Sequence, residues 1–467
     1  MVSDARGLPV DIQNTPPLWE VAVGKHQYSI PTVDRGRIYI GSNDSSVSRP
    51  GYTPTDGGNL MCVEQASGKL IWQLPIPRYF DGVKAPFHFD QWSCGACSNP
   101  LVDGERVYIV GSRGEILCLD RQGQSNGNDG PFLEELNYME IQGGANARLS
   151  PTDGDILWKF NLIEELNVVL HDVCGSTLLM AGDLLYATTS NGIDDRHDKI
   201  PRPLAPSLIV LDKKTGRLVA KDAENIGQRM MHCLWSSPSA GQVQGKTRIF
   251  FGGGDGILYA FDPPKPPTEN SGIQTLVKVW SFDCNPPGYR MRDGQPVAYS
   301  TSGKNSPEGP SEIIGTPVFH NGMVYVAIGQ SPIHGAGQGQ LSCVDAATGA
   351  KVWATSLVDR SLATPAIAGD LLYIPDYTGN LHCFDAKTGE RCWVHSLGAK
   401  TWAAAAFVAD DKVYIGTEAN MLWVLKAGRE KQVLSKNRLK STPITLTASD
   451  GIIYIPTQKS LIAVPGI

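Results

Sequence analysis

Ala363-Thr364-Pro365-Ala366-Ile367-Ala368-Gly369-Asp370-Leu371-Leu372-Tyr373, then Gly379-Asn380-Leu381-His382-Cys383-Phe384-Asp385, then Thr388-Gly389 and Trp393, reads as four short strands. Gly369-Asp370, Tyr377-Thr378-Gly379 and Lys387-Thr388-Gly389 are the turns between them, and the intervening residues alternate or run apolar as strands do. The unit recurs. One copy carries Thr316-Pro317, Tyr325, Leu341, Asp345, Thr348-Gly349 and Trp353. Earlier ones carry Pro31, Tyr39, Leu60, Gly68 and Trp72, and Asn99-Pro100, Tyr108, Leu117, Asp120, Gly154 and Trp158. Weaker copies run through Thr177, Tyr186, Leu211, Asp212 and Thr215-Gly216, and through Ser237-Pro238, Leu258, Asp262 and Trp280. Two more centre on Tyr414 and Tyr454. In the pairs Gly68/Trp72, Gly154/Trp158, Gly349/Trp353 and Gly389/Trp393 the offset is the same.

Eight units result, and the eighth lacks a fourth strand. Pro17-Leu18-Trp19-Glu20-Val21 supplies one, with Trp19 in the Trp position of the repeat. These residues are expected to pair with the C-terminal sheet and close a ring, which removes an exposed strand edge. A closed ring of four-stranded sheets is an all-β, eight-bladed β-propeller. The expected organisation is one domain over residues 1–467, with insertions at about 121–153, 190–206 and 284–311.

Composition agrees. The 467 residues include 50 Gly and 32 Pro, well above the usual ~12% for the two together, as many tight turns require. Charged residues are only 19%, against disorder and coiled coil. The net charge of −6 gives no basic surplus to neutralise phosphates, so a nucleic-acid partner is not expected. The longest apolar run, Trp402–Ala409, falls far short of the ~20 residues a bilayer needs, so no transmembrane segment is expected. The opening residues Met1–Arg6 carry no apolar signal core, and the compartment is not read from them.

The Leu-x-x-x-Asp-x-x-Thr-Gly-x-x-x-Trp pattern resembles the tryptophan-docking repeat of the quinoprotein alcohol dehydrogenase-like superfamily, over nearly the whole chain. The resemblance implies that Trp19, Trp72, Trp158, Trp280, Trp353 and Trp393 wedge between blades, while Val219-Ala220 and the region near Val433 stand in where the Trp is missing. It also implies two functional readings. Enzymes of the superfamily bind pyrroloquinoline quinone (PQQ) and calcium in the channel and oxidise alcohols. Many carry a disulfide between adjacent cysteines, and this chain has no Cys-Cys dipeptide. Cys94-Gly95-Ala96-Cys97 is followed by Ser98, so it is not a haem-attachment site. Non-catalytic relatives resemble the lipoprotein of the bacterial outer-membrane assembly machinery, which binds protein partners. The favoured reading is therefore a ligand- or protein-binding module. A PQQ- and calcium-dependent alcohol or sugar dehydrogenase is the alternative. Relatives are usually exported, which implies a periplasmic or extracellular location.

The turn between strands two and three of a blade lies at the same end as the link to the next blade. Long insertions gather there, over residues 42–58, 77–92, 190–206, 284–311 and 330–338, whereas 121–153 and 263–276 lie at the opposite end. Long loops on a rigid scaffold carry binding sites. Residues just ahead of each inner strand should ring the channel mouth: His26, Trp92, Cys94, His171, Asp172, His232, Glu312, Arg360, Lys400, Trp402 and Arg438. That ring could cradle a planar or anionic ligand, with Arg360, Lys400 and Arg438 giving charge-assisted bonds. A solvated rim with internal ion pairs is the other reading.

Cys62, Cys118, Cys343 and Cys383 occupy one repeated slot, shared elsewhere with Val or Ala, and read as core thiols. Cys94 and Cys97, His171 and Cys174, and His232 and Cys233 open the inner strands of consecutive blades. They could form a tetrahedral zinc or copper(I) site, a Cys94–Cys97 disulfide, or inert thiols. Asp120, Asn126, Asn128 and Asp129, in a Gly-rich stretch, could hold calcium or be a plain surface turn. A short helix is expected over Phe132–Ile141. Gly252–Gly256 lacks the helix and Lys of a phosphate loop and reads as a blade turn.

Overall fold

In the computed structural model, eight sheets form the ring, seven of four antiparallel strands and one of five. The structure describes residues 1–78, 90, 92–172, 174–194, 199–230, 232–268, 271–297, 311–329, 337–402 and 404–466. The insertions expected at 77–92, 190–206, 284–311 and 330–338 lie partly outside these residues. Blade 1 is built from Thr32–Asp34, Arg37–Asn43, Gly58–Glu64 and Leu70–Ile76, each strand pairing with the next. Blades 2 to 7 repeat that order. Blade 8 comprises Thr447–Ser449, Ile452–Pro456 and Ser460–Pro465, and its outer strand is Trp19–Ala22. Trp19 pairs with Ala463 and Ala22 with Ser460, so the ring closes as the repeat predicts.

The repeated residues form one layer across each blade. Tyr39 opposes Cys62, and Cys62 opposes Trp72. The same row recurs as Tyr108, Cys118 and Trp158, as Tyr325, Cys343 and Trp353, and as Tyr373, Cys383 and Trp393. A small residue is needed in the middle because the phenol and indole crowd it from either side. The ladder slips by one residue immediately after that position, at Cys62/Val63, Cys118/Leu119, Cys343/Val344 and Cys383/Phe384. Such a bulge bends the outer strand and raises its twist. The four cysteines are buried.

Each indole then docks on the following blade. Trp72 Nε1 donates to Arg121 O at 2.9 Å, Trp353 Nε1 to Ala386 O at 3.0 Å, and Trp19 Nε1 to Gln65 O at 3.0 Å across the closure. The ring lies over a turn glycine. At Gly68 (φ +70°) an added Cβ would stand 2.7 Å from Trp19 Cδ2, so this position needs glycine for both its backbone and its neighbour.

Two features depart from the sequence expectations, and a third lies outside them. Residues 263–276 are not only a loop: Gln274–Thr275 adds a fifth strand, parallel to Leu218–Lys221, on the edge of the blade that lacks a Trp. The helix expected over Phe132–Ile141 is a single turn, Glu135–Tyr138, because its carbonyls are quickly taken by the return of the chain at Glu140 and Ile141. Residues near the N-terminus pack on blade 7, where Leu8 and Ile12 are buried against Phe407 and Ile12 N donates to Asn437 Oδ1 at 2.9 Å. Gly253–Gly256 is a blade turn, with Gly253 N donating to Ile257 O. No helix of the described residues is long and apolar enough to cross a membrane.

Candidate binding site at the channel mouth

The links that lead into the inner strands of blades 3, 4 and 5 bring His171, Asp172, His232, Cys233 and Glu312 together. His171 Nε2 and His232 Nε2 lie 3.1 Å apart, with the rings edge to face at 4.5 Å between centroids. Asp172 Oδ1 is 3.7 Å from His171 Nε2. Ligand atoms of His171, Asp172 and His232 all fall within 4.8 Å of one another, as do those of His232, Cys233 and Glu312. Both histidines are buried. Gly192 makes the approach possible: a Cβ there would stand 2.4 Å from His171 Cβ and 3.0 Å from His232 O. Its neighbour Ile193 fixes the second link, donating its N–H to His232 O at 2.7 Å.

Carboxyl groups gather on this floor. Glu312 is 1% exposed, and neither carboxylate oxygen has a hydrogen-bond partner among the described residues. Burial, then the Asp172 charge, push its carboxyl well above the usual range, with Arg360 opposing. Burial and Asp90 push Asp172 up to about 7, and burial pushes Asp90 up to about 6 although Cys94 N and Gly95 N donate to it. Asp90, Ser93, Asp172 and Ser190 all hold positive φ, a backbone state that non-glycine residues adopt at a cost. Arg360 is itself 1% exposed, its guanidinium 5.9 Å from the centre of the Tyr289 ring.

Above the floor, Trp92 and Trp402 meet edge to face at 4.9 Å, from links into blades 2 and 7. Trp92 is half exposed. Beside it His26 Nδ1 contacts Trp92 O at 3.2 Å and Cys94 Sγ at 3.7 Å. Lys400 is exposed and lies over the Tyr377 ring at 5.1 Å.

Arg438 is not part of the ring. It ends the outer strand Val433–Arg438 of blade 7, exposed, with its N–H donating to Gln13 Oε1. The outer strand here runs on to this residue before the chain turns inward. The thiols also separate. Cys94 and Cys97 sit with His26, Cys174 is in the apolar core between blades 2 and 3, and Cys233 alone joins the histidine floor. All ten cysteines are free thiols, so Cys94 and Cys97 are not bridged. In the candidate calcium loop, Asp120 Oδ1 accepts from Gln122 N, Asn126 donates to Asp129 Oδ2, and Asn128 donates to Glu135 Oε2. Gly123 of this loop lies under the Trp72 indole, so the loop serves as that residue's docking turn.

Sequence reasoning missed Asp90, which lies inside an insertion and outside the repeat register, and the pair Asp376–His382. His382 Nε2 lies 2.7 Å from Asp376 Oδ2, and Asp376 also accepts from Thr378 Oγ1 at 2.7 Å and Asn380 N at 3.1 Å. The adjoining backbone fixes two mouth links: Tyr377 N donates to Arg360 O, and Thr401 Oγ1 donates to Asp376 O. Burial pushes the Asp376 carboxyl up, but the His382, Thr378 and Asn380 bonds outweigh it and hold it below the ordinary value. A carboxylate so depressed adds stability above its unfolded pKa and loses it as pH falls through the folded value. Asp376→Asn is therefore expected to cost about 1.5–3 kcal/mol near pH 7, with the deficit shrinking near pH 3. Urea denaturation of both proteins at the two pH values measures it.

A family model described as "Outer membrane protein assembly factor BamB" matches residues 10–126 and 278–438. No curated protein matches the chain by sequence. Among solved structures, the fold is similar to BamB from Moraxella catarrhalis, with a TM-score of 0.56 at 14% identity over 96% of this chain and 97% of that one. It is similar to a europium-containing methanol dehydrogenase, with a TM-score of 0.58 at 12% identity over 97% and 86%. It is also similar to the computationally designed protein Ika8, with a TM-score of 0.56 at 10% identity over 96% and 99%. At these identities the likeness is one of fold. Calcium takes six to eight oxygen ligands. The floor instead presents two imidazoles and a thiol among its carboxylates, a donor set that does not fit calcium.

Proposed function

Because the chain belongs to the PQQ-like repeat β-propeller family of the outer membrane protein assembly factor BamB, we propose that it is a binding module that engages a protein partner through the channel mouth of its loop-rich face. The observation that carries this reading is the Trp92–Trp402 pair, with Trp92 half exposed at the rim. Large aromatic side chains with one open face are the residues that dominate protein interfaces. The matching family's own description, an assembly factor, supports a protein partner over a small ligand. The same description supports a location outside the cytoplasm, periplasmic or extracellular.

The test is capture by the immobilised full chain, comparing the wild type with Trp92→Ala/Trp402→Ala and with Leu133→Ala. Leu133 is an exposed apolar residue in the insertion at the opposite end. A protein retained by the wild type and by Leu133→Ala should be lost from the double variant, each indole being worth about 2 kcal/mol or more. Equal retention by all three would overturn the reading.

A further inference from the structure

We propose that the floor of the channel mouth is a binding site for one divalent transition-metal ion of the zinc class, held by the imidazoles of His171 and His232 and the carboxylate of Asp172. The inference concerns the ion beneath the Trp pair and stands independently of whether a protein docks on the rim.

The geometry carries it. Two imidazole nitrogens bound to one tetrahedral ion at ~2.0–2.1 Å stand roughly 3.3 Å apart. His171 Nε2 and His232 Nε2 are 3.1 Å apart and face each other from different blades, with Asp172 Oδ1 3.7 Å from the first. The three ligand atoms lie within 4.8 Å of one another. The chemistry of the donors selects the ion. Imidazole suits zinc, copper, nickel and iron, whereas calcium and magnesium take oxygen alone.

Charge gives an independent reason. Glu312 shares the second cluster with His232, is 1% exposed, and has no hydrogen-bond partner on either oxygen among the described residues. A carboxylate buried in that way is costly unless paired or coordinated. A doubly charged ion at His232 would offset both Asp172 and Glu312. The backbone is also shaped for the site. Gly192 is the residue that lets the two histidine links approach, and Asp172 sits at φ 54°.

The experiment uses the full chain, stripped with chelator and titrated with Zn²⁺ against a chromophoric zinc indicator, and separately with Co²⁺ followed by visible absorption. One equivalent of each ion should bind, with Co²⁺ showing the intense ligand-field bands of a four-coordinate site. His171→Gln and His232→Gln should each weaken Zn²⁺ binding by more than about a hundredfold, beyond the roughly 10–100-fold lost when a group that only supports a ligand is removed. Glu312→Gln keeps shape and removes charge, and it should weaken binding while leaving the unfolding midpoint of the metal-free protein no lower. Absence of stoichiometric binding, or binding that persists unchanged in both His→Gln variants, would show that the imidazoles do not hold an ion and would overturn the proposal. Failure of partner capture by the Trp92→Ala/Trp402→Ala variant, with Zn²⁺ binding intact, would bear on the rim alone.

Discussion

Trp19→Ala is expected to destabilise the ring by about 3–5 kcal/mol, as much as Trp72→Ala within the body of the chain. The two residues are far apart in sequence but equivalent in space. Trp72 is fully buried and Trp19 only 9% exposed. Trp72 opposes Cys62 and Trp19 opposes Ala463, each on the third strand of a blade. Each indole donates to a carbonyl of the next blade and lies on a turn glycine, Gly123 for Trp72 and Gly68 for Trp19. In a ring, every inter-blade wedge carries the same structural duty, so removing any one opens a cavity of similar size. If residues 19–22 were a dispensable ribbon laid on a stable seven-and-a-half-blade body, Trp19→Ala would move the urea midpoint little and Trp72→Ala would still move it far. Gly68→Ala should reproduce part of the Trp19 loss, because its methyl would collide with the indole at a backbone angle that disfavours alanine. Urea midpoints of the three variants decide between the two pictures.

The architecture was legible because each blade writes its own local code. Tyr, a small residue and Trp recur in that order, with the same Gly-to-Trp spacing at Gly68/Trp72, Gly154/Trp158, Gly349/Trp353 and Gly389/Trp393, the physical cause being one cross-strand row that must fit an indole beside a phenol. The same code located the closing strand, since the eighth unit lacks a fourth strand and Trp19 stands in the Trp position of the repeat. The ring of mouth residues was legible to the extent that links between blades have similar length. His171, His232, Glu312 and Arg360 fall where offset counting puts them and are buried there. Arg438 fails because the outer strand of blade 7 continues to that residue. What offset counting could not give is depth within an insertion. Asp90 accepts from Cys94 N and Gly95 N out of an insertion that lies outside the repeat register. Gln274–Thr275 pairs with a blade already four-stranded. The isolation of Glu312 is likewise a property of three blades together, which no single repeat encodes.

Arg360→Met is expected to cost about 3–5 kcal/mol in metal-free protein, more than its lost packing alone would explain. Arg360 and Glu312 are each 1% exposed, and the arginine is the charge that opposes the upward push on the Glu312 carboxyl. The other charge acting on that carboxyl is Asp172, of like sign. With the cation gone, Glu312 and Asp172 would face one another across a floor with little water, and a buried carboxylate lacking compensation is what makes the breaking of such a set costly. Glu312→Gln removes the opposite charge and should leave the metal-free midpoint no lower, because the oxygens of Glu312 lack partners among the described residues. The decisive measurement is the double variant. Arg360→Met/Glu312→Gln should recover at least about 1 kcal/mol of the Arg360→Met loss, a coupling within the range found for residues in one charge network. Strict additivity of the two single substitutions in urea denaturation would mean that Arg360 is held by the Tyr289 face and its other neighbours, and that the floor tolerates Glu312 without it. Coupling of the expected size would mean that this guanidinium holds the floor together when no cation occupies it, so a bound metal ion should reduce the cost of Arg360→Met by taking over part of that compensation.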